Sequence, residues 1–357
     1  MPDEIKELLR SELRDLVPYH VPAYKGVIKL DANENNFEFP PAAAADIAKR
    51  IRSEIYNRYP DSEARSLRQA LASRHGIDIG QVMVGNGSDE LILDLMLAFA
   101  AGAKVLIAVP TFSMYAIHAV IAGAQPVPVA RREDFNLDVE ALVSAAADPD
   151  VKMIVLCTPN NPTGNVIPPE ELETVLRESR AMVVVDEAYI DFGGVPALPL
   201  VAMYPRLVLL RTFSKAFALA GLRVGYLLAQ EQTVEALWRV KQPFNVNSFS
   251  QLAAEAVLAH RTEFEERIAL IIRERDRLYA ALQAMPGVEA YPSEANFILF
   301  RTPLPGGRVY EELLARGVLV RNLDGPRLER CLRVSVGKPK ENDFFLGALD
   351  DVLRIYK

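Results

Sequence analysis

The chain has 357 residues, half of them hydrophobic, so it can bury a large core and is expected to form about two domains. Charged residues make up 24% and the formal net charge is −7, which argues against a nucleic-acid-binding protein. Two cysteines, Cys157 and Cys331, are too few for a disulfide framework and fit a reducing compartment.

From the N-terminus, Ile5, Leu8, Leu9, Leu13 and Leu16 recur at helical spacing. Residues 3–17 are therefore expected to form one amphipathic helix that Pro18 stops and that packs on the smaller domain. Charges run through Met1–Asp15, leaving no apolar signal-peptide core, and the longest apolar stretch, Leu95–Ala103, falls far short of the ~20 residues that cross a bilayer. A cytoplasmic protein without membrane contact is expected. An irregular stretch, Pro18–Pro41, comes next.

Beyond residue 42, apolar runs alternate with helical patterns. The runs are Gln81–Val84, Val105–Val109, Met153–Cys157, Met182–Asp186, Leu207–Arg211 and Gly225–Ala229, with helices such as Ser88–Ala100 and Pro169–Arg177 between them. This pattern indicates an α/β domain around a mostly parallel sheet buried on both faces. Near Pro243 the pattern changes to one long helix, Ser250–Ala284, ended by Pro286-Gly287. Short strands at Phe297–Phe300, Val318–Arg321 and Leu332–Val336 and a closing helix at Asn342–Ile355 read as a smaller α+β domain. The expected division is a large domain over 42–255, and a small domain from 1–41, with its N-terminal arm, and 256–357.

Five segments sit where an α/β sheet places chemistry, at the carboxyl ends of strands. Val84-Gly85-Asn86-Gly87-Ser88-Asp89-Glu90 opens a helix, and is either a tight strand-to-helix turn or a phosphate site made of backbone N–H groups. Phe112 and Tyr115 follow the next strand, where an aromatic ring stacks on a ligand or packs in the core. Thr158-Pro159-Asn160-Asn161-Pro162-Thr163-Gly164 makes a turn. Asp186 ends the run Val183-Val184-Val185, where a carboxylate is costly unless something positive pairs with it. Tyr189 lies one turn further. The fifth segment, Thr212–Tyr226, reads TFSKAFALAGLRVGY, with Lys215 just past a strand and Arg223 in a Gly-Leu-Arg-Val-Gly turn. Small residues, two hydroxyls and an arginine around such a lysine suit a Schiff base to a phosphorylated aldehyde cofactor.

Together these segments closely resemble the fold-type I pyridoxal-phosphate (PLP) aminotransferases. The resemblance implies that fold, with a large mostly parallel-sheet α/β domain and a smaller α+β domain. It implies phosphate contacts from the backbone of Gly87, Ser88 and Asp89, the hydroxyls of Thr212 and Ser214, and Arg223. Phe112 would stack on the pyridine ring, with any polar contact of the tyrosine common there lost or taken over by Tyr115. Asn161 and Tyr189 would bond the phenolic oxygen, Asp186 would keep the ring nitrogen protonated, and Lys215 would hold PLP and then move the substrate proton.

The substrate side is read from other segments. Cys331-Leu332-Arg333-Val334-Ser335-Val336-Gly337 resembles the family segment whose arginine binds the substrate's anionic head, and Arg321 ends a strand comparably. Leu30-Asp31-Ala32-Asn33-Glu34-Asn35, Pro18-Tyr19 and Arg58-Tyr59-Pro60-Asp61 resemble segments of the histidinol-phosphate aminotransferase family, and the likeness runs from about Tyr19 to the end. It implies transamination between histidinol phosphate or imidazole-acetol phosphate and glutamate or 2-oxoglutarate, in histidine biosynthesis. It also implies a homodimer in which Tyr59 reaches the partner's cofactor phosphate, with Tyr19 and Asn33 in the substrate pocket. Asn36-Phe37 precede Pro40 where relatives place proline sooner, so the course of this segment departs from the pattern. Rival readings are an aromatic amino-acid aminotransferase and a threonine-phosphate decarboxylase. The effector domain of a transcription regulator is disfavoured, because no helix-turn-helix segment precedes Tyr19. His20, His75, His118 and His260 fall in no ligand spacing, so no metal is expected.

Overall fold

Apolar runs bounded by turns form a seven-stranded sheet in the computed structural model, which describes residues 3–17, 24–53 and 56–355. The spatial order is Val82–Asn86, Val224–Leu228, Leu207–Thr212, Met182–Asp186, Val151–Cys157, Lys104–Val109 and Gln125–Ala130. Only Val224–Leu228 runs against its neighbours. Side chains alternate across the sheet, and both faces are covered. Val183, Val185, Leu207 and Leu209 pack with Leu67, Leu71, Leu172 and Val175 of the helices Arg65–His75 and Pro169–Glu178. Val184, Val208 and Leu210 face the opposite way, toward Leu91 and Leu95 of Ser88–Phe99 and Ala119 of Met114–Ile121. Burial on both faces is why these strands read as unbroken apolar runs.

Six of the seven strands fall where the sequence places them, to within a few residues. The seventh, Gln125–Ala130, contains Pro126 and Pro128 and carries no strand signal. It survives as a strand because it is the sheet edge. Gln125 N donates to Ala103 O and Arg131 N to Val109 O, both at 2.8 Å. Residues of that parity face the neighbour, so the prolines' missing N–H groups fall on the outer side.

The second unit is a four-stranded antiparallel sheet, Arg321–Asn322, Cys331–Ser335, Phe297–Arg301 and Glu289–Ala290. Ile28–Lys29 pairs in parallel with Val318–Leu319 nearby. The single long helix expected over 250–284 is two helices, Ser248–Ala259 and Arg261–Gln283, broken where His260 leaves helical dihedrals (φ −106°, ψ 27°). The second helix spans both cores: Phe264, Ile268 and Ile271 pack with the large sheet, Leu278 and Leu282 with the small one. The N-terminal segment also differs from expectation. It forms two short helices, Asp3–Leu8 and Ser11–Arg14, and Arg10 donates to Ile121 O (2.6 Å), tying the arm to a helix of the large sheet rather than to the small unit.

Leu209 is fully buried on Leu207–Thr212, an interior strand that leads into Lys215's loop. Leu209→Ala should lower stability by about 2–5 kcal/mol in urea unfolding, because the closely packed faces relax only in part around the cavity.

Candidate active site

The carboxyl ends of the parallel strands open on a cavity of about 560 Å³. It is lined from the large sheet by Ser88, Asp89, Phe112, Asn161, Asp186 and Tyr189, and by Thr212, Ser214, Lys215 and Arg223. Asn33, Arg321 and Arg333 line it from the other side. Segments up to 302 residues apart in the chain meet here: Arg333 Nη2 donates to Asp31 O at 2.6 Å.

One corner is shaped by two glycines. Gly87 has φ +81°, and a Cβ there would stand 2.5 Å from Arg223 Nη2. A Cβ on Gly225 would lie 2.3 Å from Ser88 N. Only bare backbone fits, and it brings the N-terminus of the 12-residue helix Ser88–Phe99 against the cavity. Arg223, itself left-handed at φ 52°, donates to Asp89 Oδ2 (2.9 Å) and Ser214 Oγ (3.3 Å). Ser214 N in turn donates to Thr212 Oγ1 at 3.0 Å. Backbone N–H groups, a hydroxyl and a guanidinium on one spot are a donor set for a phosphate.

At the opposite end, Asp186 is 4% exposed. Tyr115 Oη donates to its Oδ2 (2.6 Å) and Ala188 N to its Oδ1 (3.0 Å). Burial nevertheless pushes this carboxyl up to about 6, since two neutral donors do not replace water. A cationic ring N–H placed there would reverse that shift, so the residues fit a protonated pyridine with a phosphate arm. Tyr115, left between core and site by the sequence, is in both: it is fully buried in the core while making this hydrogen bond, and its ring meets Phe112 edge-on at 5.5 Å. Lys215 lies between the two ends, with Nζ donating to Ala32 O at 3.0 Å. Burial, and then the charge of Arg333, lower its pKa to about 8.

The far wall belongs to the small sheet and the segment before residue 40. Arg333 donates to Asn161 Oδ1 (2.5 Å), so it touches a large-sheet residue directly. Arg321 stands opposite Arg333 in the strand register. Asn33, held in the left-handed region (φ 55°), donates from Nδ2 to Tyr189 Oη (3.0 Å), while its N–H bonds Ser335 Oγ (2.8 Å). The Asn36-Phe37 stretch has a defined course: Asn35 bonds Ala216 O, Asn36 bonds Glu341, and Phe39 meets Phe264 at 5.3 Å. Tyr59 is not in the cavity. It is 81% exposed and stacks on Phe244 at 4.6 Å. Tyr19 lies outside the described residues. Leu323 and Leu328 complete the cavity from a loop whose residues carry no sequence signal.

In the cofactor-free protein, labelling of Lys215 by an amine-reactive reagent should rise with pH around a midpoint of about 8. Arg333→Ala should move that midpoint upward, because removing a nearby positive charge favours the ammonium form.

The aminotransferase class I and II family matches residues 25–349. The chain is 42% identical over 359 residues to a histidinol-phosphate aminotransferase of Desulfitobacterium hafniense, covering 98% of each. It is 43% identical to one of Thermococcus gammatolerans, covering 98% of this chain and 97% of that protein. The fold superposes on a crystal structure of histidinol-phosphate aminotransferase from Sinorhizobium meliloti in complex with pyridoxal-5'-phosphate, with a TM-score of 0.89, 26% identity and 98% coverage of each chain. A lysine, a buried aspartate and an anion corner on one sheet, joined by family likeness over nearly the whole length, place the chain in the class I and II aminotransferase family.

Proposed function

We propose that the chain is a PLP-dependent transaminase of histidinol phosphate and 2-oxoglutarate, working in L-histidine biosynthesis. The observation that carries the reading is one cavity with Lys215 and buried Asp186 on one wall and two arginines, Arg321 and Arg333, on the other. The names of relatives at 40–43% identity over nearly the full chain support the substrate. When bound, PLP supplies an electron sink for the carbon that loses a proton.

The chain's residues supply the rest. Asp186 holds the proton on the ring nitrogen, with Tyr115 and Ala188 N orienting its carboxylate. The backbone of Gly87, Ser88 and Asp89, the hydroxyls of Thr212 and Ser214, and Arg223 bind the phosphate. Phe112 would stack on the bound ring, and Asn161 and Tyr189 would hydrogen-bond its phenolic oxygen. Lys215, neutral in a large fraction near pH 8, would be the base that carries the proton between the substrate's Cα and the cofactor's C4′ carbon. Arg333, held by Asn161 and Asp31 O, and Arg321 bind the substrate's anionic head: a phosphate in one half-reaction, a carboxylate in the other. Asn33 and Tyr19 border that pocket. Residues 42–255 act as the cofactor-binding domain. Among the described residues no helix is long and apolar enough to cross a membrane, and we place the reaction in the cytoplasm.

The exposed Tyr59–Phe244 stack supports a homodimer, since an aromatic pair outside its own cavity is suited to a partner's. In that assembly Tyr59 would reach the partner's phosphate corner.

Histidinol phosphate should turn over with a kcat/KM well above that of phenylalanine or tyrosine, and equal values would refute the substrate. Arg333→Lys should raise the KM for histidinol phosphate by roughly 10- to 100-fold, the loss of one charged hydrogen bond, with little change in cofactor retention. Lys215→Ala should abolish the visible absorbance of the bound cofactor together with transamination. Hybrids of Tyr59→Phe and Lys215→Ala subunits test the composite site, which activity independent of pairing would disprove.

A further inference from the structure

Behind the cavity, on the reverse face of the sheet, lies an ion pair that the reaction as described does not use. Asp186 and Thr212 point into the cavity, so their neighbours Glu187 and Arg211 point the other way. Glu187 Oε2 accepts from Arg211 Nε at 2.8 Å, with Nη2 2.7 Å away, and Oε1 accepts from Ala197 N at 2.7 Å. The glutamate side chain is 0% exposed and the arginine's 9%. Glu187 N also donates to Leu210 O (2.8 Å), continuing the ladder past the strand end. The two side chains thus tie together the strand ends that carry Asp186 and the Thr212–Lys215 turn.

The charges around the pair cancel. Arg74 on the flanking helix pairs with Asp191 (3.3 Å), and farther out Arg261 pairs with Glu265 (2.6 Å). Tyr226 stands opposite Arg211 in the register, and its Oη is 3.1 Å from His75 Nε2. Burial, Arg211 and Arg74 together lower His75 to about 3, so it is neutral. On the cavity side stand Asp186 with Tyr115, Lys215, Arg333 and the Asp89–Arg223 pair. Against that background, Glu187 balances the one buried guanidinium adjacent in sequence to the Thr212–Lys215 turn. A guanidinium does not shed its proton when its partner is lost, so an unbalanced Arg211 would remain a full positive charge.

We infer that Glu187 is a positioning residue for the cofactor site: its pair with Arg211 joins the strand ends bearing Asp186 and Lys215 and keeps the charge behind them at zero. The inference rests on the PLP reading above. Two consequences differ in kind. Losing the tie loosens cofactor retention. Losing the balance lowers the proton affinity of the chromophore formed at Lys215.

The test uses PLP-loaded protein, with visible absorbance titrated against pH and cofactor retention followed by dialysis. Glu187→Gln should lower the spectral midpoint by on the order of 1 pH unit. Glu187→Gln combined with Arg211→Gln removes both charges and should return the midpoint close to that of the unaltered protein. Retention should weaken about tenfold in both, because glutamine offers one neutral acceptor where Glu187 uses two charged ones, which weakens the tie. A double variant shifted as far as the single one, or no shift in either, would overturn the inference and leave the pair a packing feature. If Glu187→Gln fails to fold, Glu187→Asp keeps the charge; it should hold the unaltered midpoint while releasing cofactor faster, and a lowered midpoint there would equally overturn the inference. Absence of any pH-dependent visible band in the unaltered protein would instead defeat the PLP reading itself.

Discussion

A carboxylate buried at the end of a central strand is the constraint around which this protein is arranged. Asp186 is out of water, and removing a charge from water costs several kcal/mol unless other groups replace the solvent. Tyr115 and Ala188 N replace part of it. The remainder calls for a cation in the cavity, whose lining also holds Ser88, Arg223 and Lys215. The polar arrangement on the reverse face follows the same logic, with each buried charge there meeting an opposite one.

Bringing the second wall to that carboxylate is the work of the small sheet and the segment before residue 40. Arg333 is contributed by the middle of an antiparallel sheet, yet its guanidinium reaches Asn161 on the large one. Asn33 accepts a left-handed backbone so that its amide meets Tyr189, and Ser335 and Asn296 hold it there. A strained residue fixed by partners from two units is a way to make the distance between them definite. The helix Arg261–Gln283, with one half in each core, ties the same two units together from behind.

Much of this was legible residue by residue. Runs such as Val183–Asp186 and Leu207–Thr212 are buried on both faces, so their strand character does not depend on neighbours and shows in the composition alone. Gln125–Ala130 was not legible, because its prolines are tolerated only at a sheet edge, and edge position is a property of the assembled sheet. The break at His260 was hidden for a similar reason: apolar spacing continues across it, while the packing partners change. The N-terminal arm misled in the other direction, since helical spacing there does not say which surface Arg10 meets.

The sequence by itself determined the chemistry on offer: a lysine in a small-residue turn, an aspartate closing an apolar strand, and two arginines on strands of a second unit. Those features are local, set by a residue and its immediate neighbours, so they survive without coordinates. Only the tertiary structure decided which of them act on one another. It gave Tyr115, a fully buried core residue, the further part of Asp186's donor, engaged Arg223 with Asp89, set Arg333 against Asn161, and left Tyr59 outside its own cavity. The physical reason is that a hydrogen bond or ion pair acts over about 3 Å, and the residues so joined here lie 71, 134 and 172 positions apart in the chain.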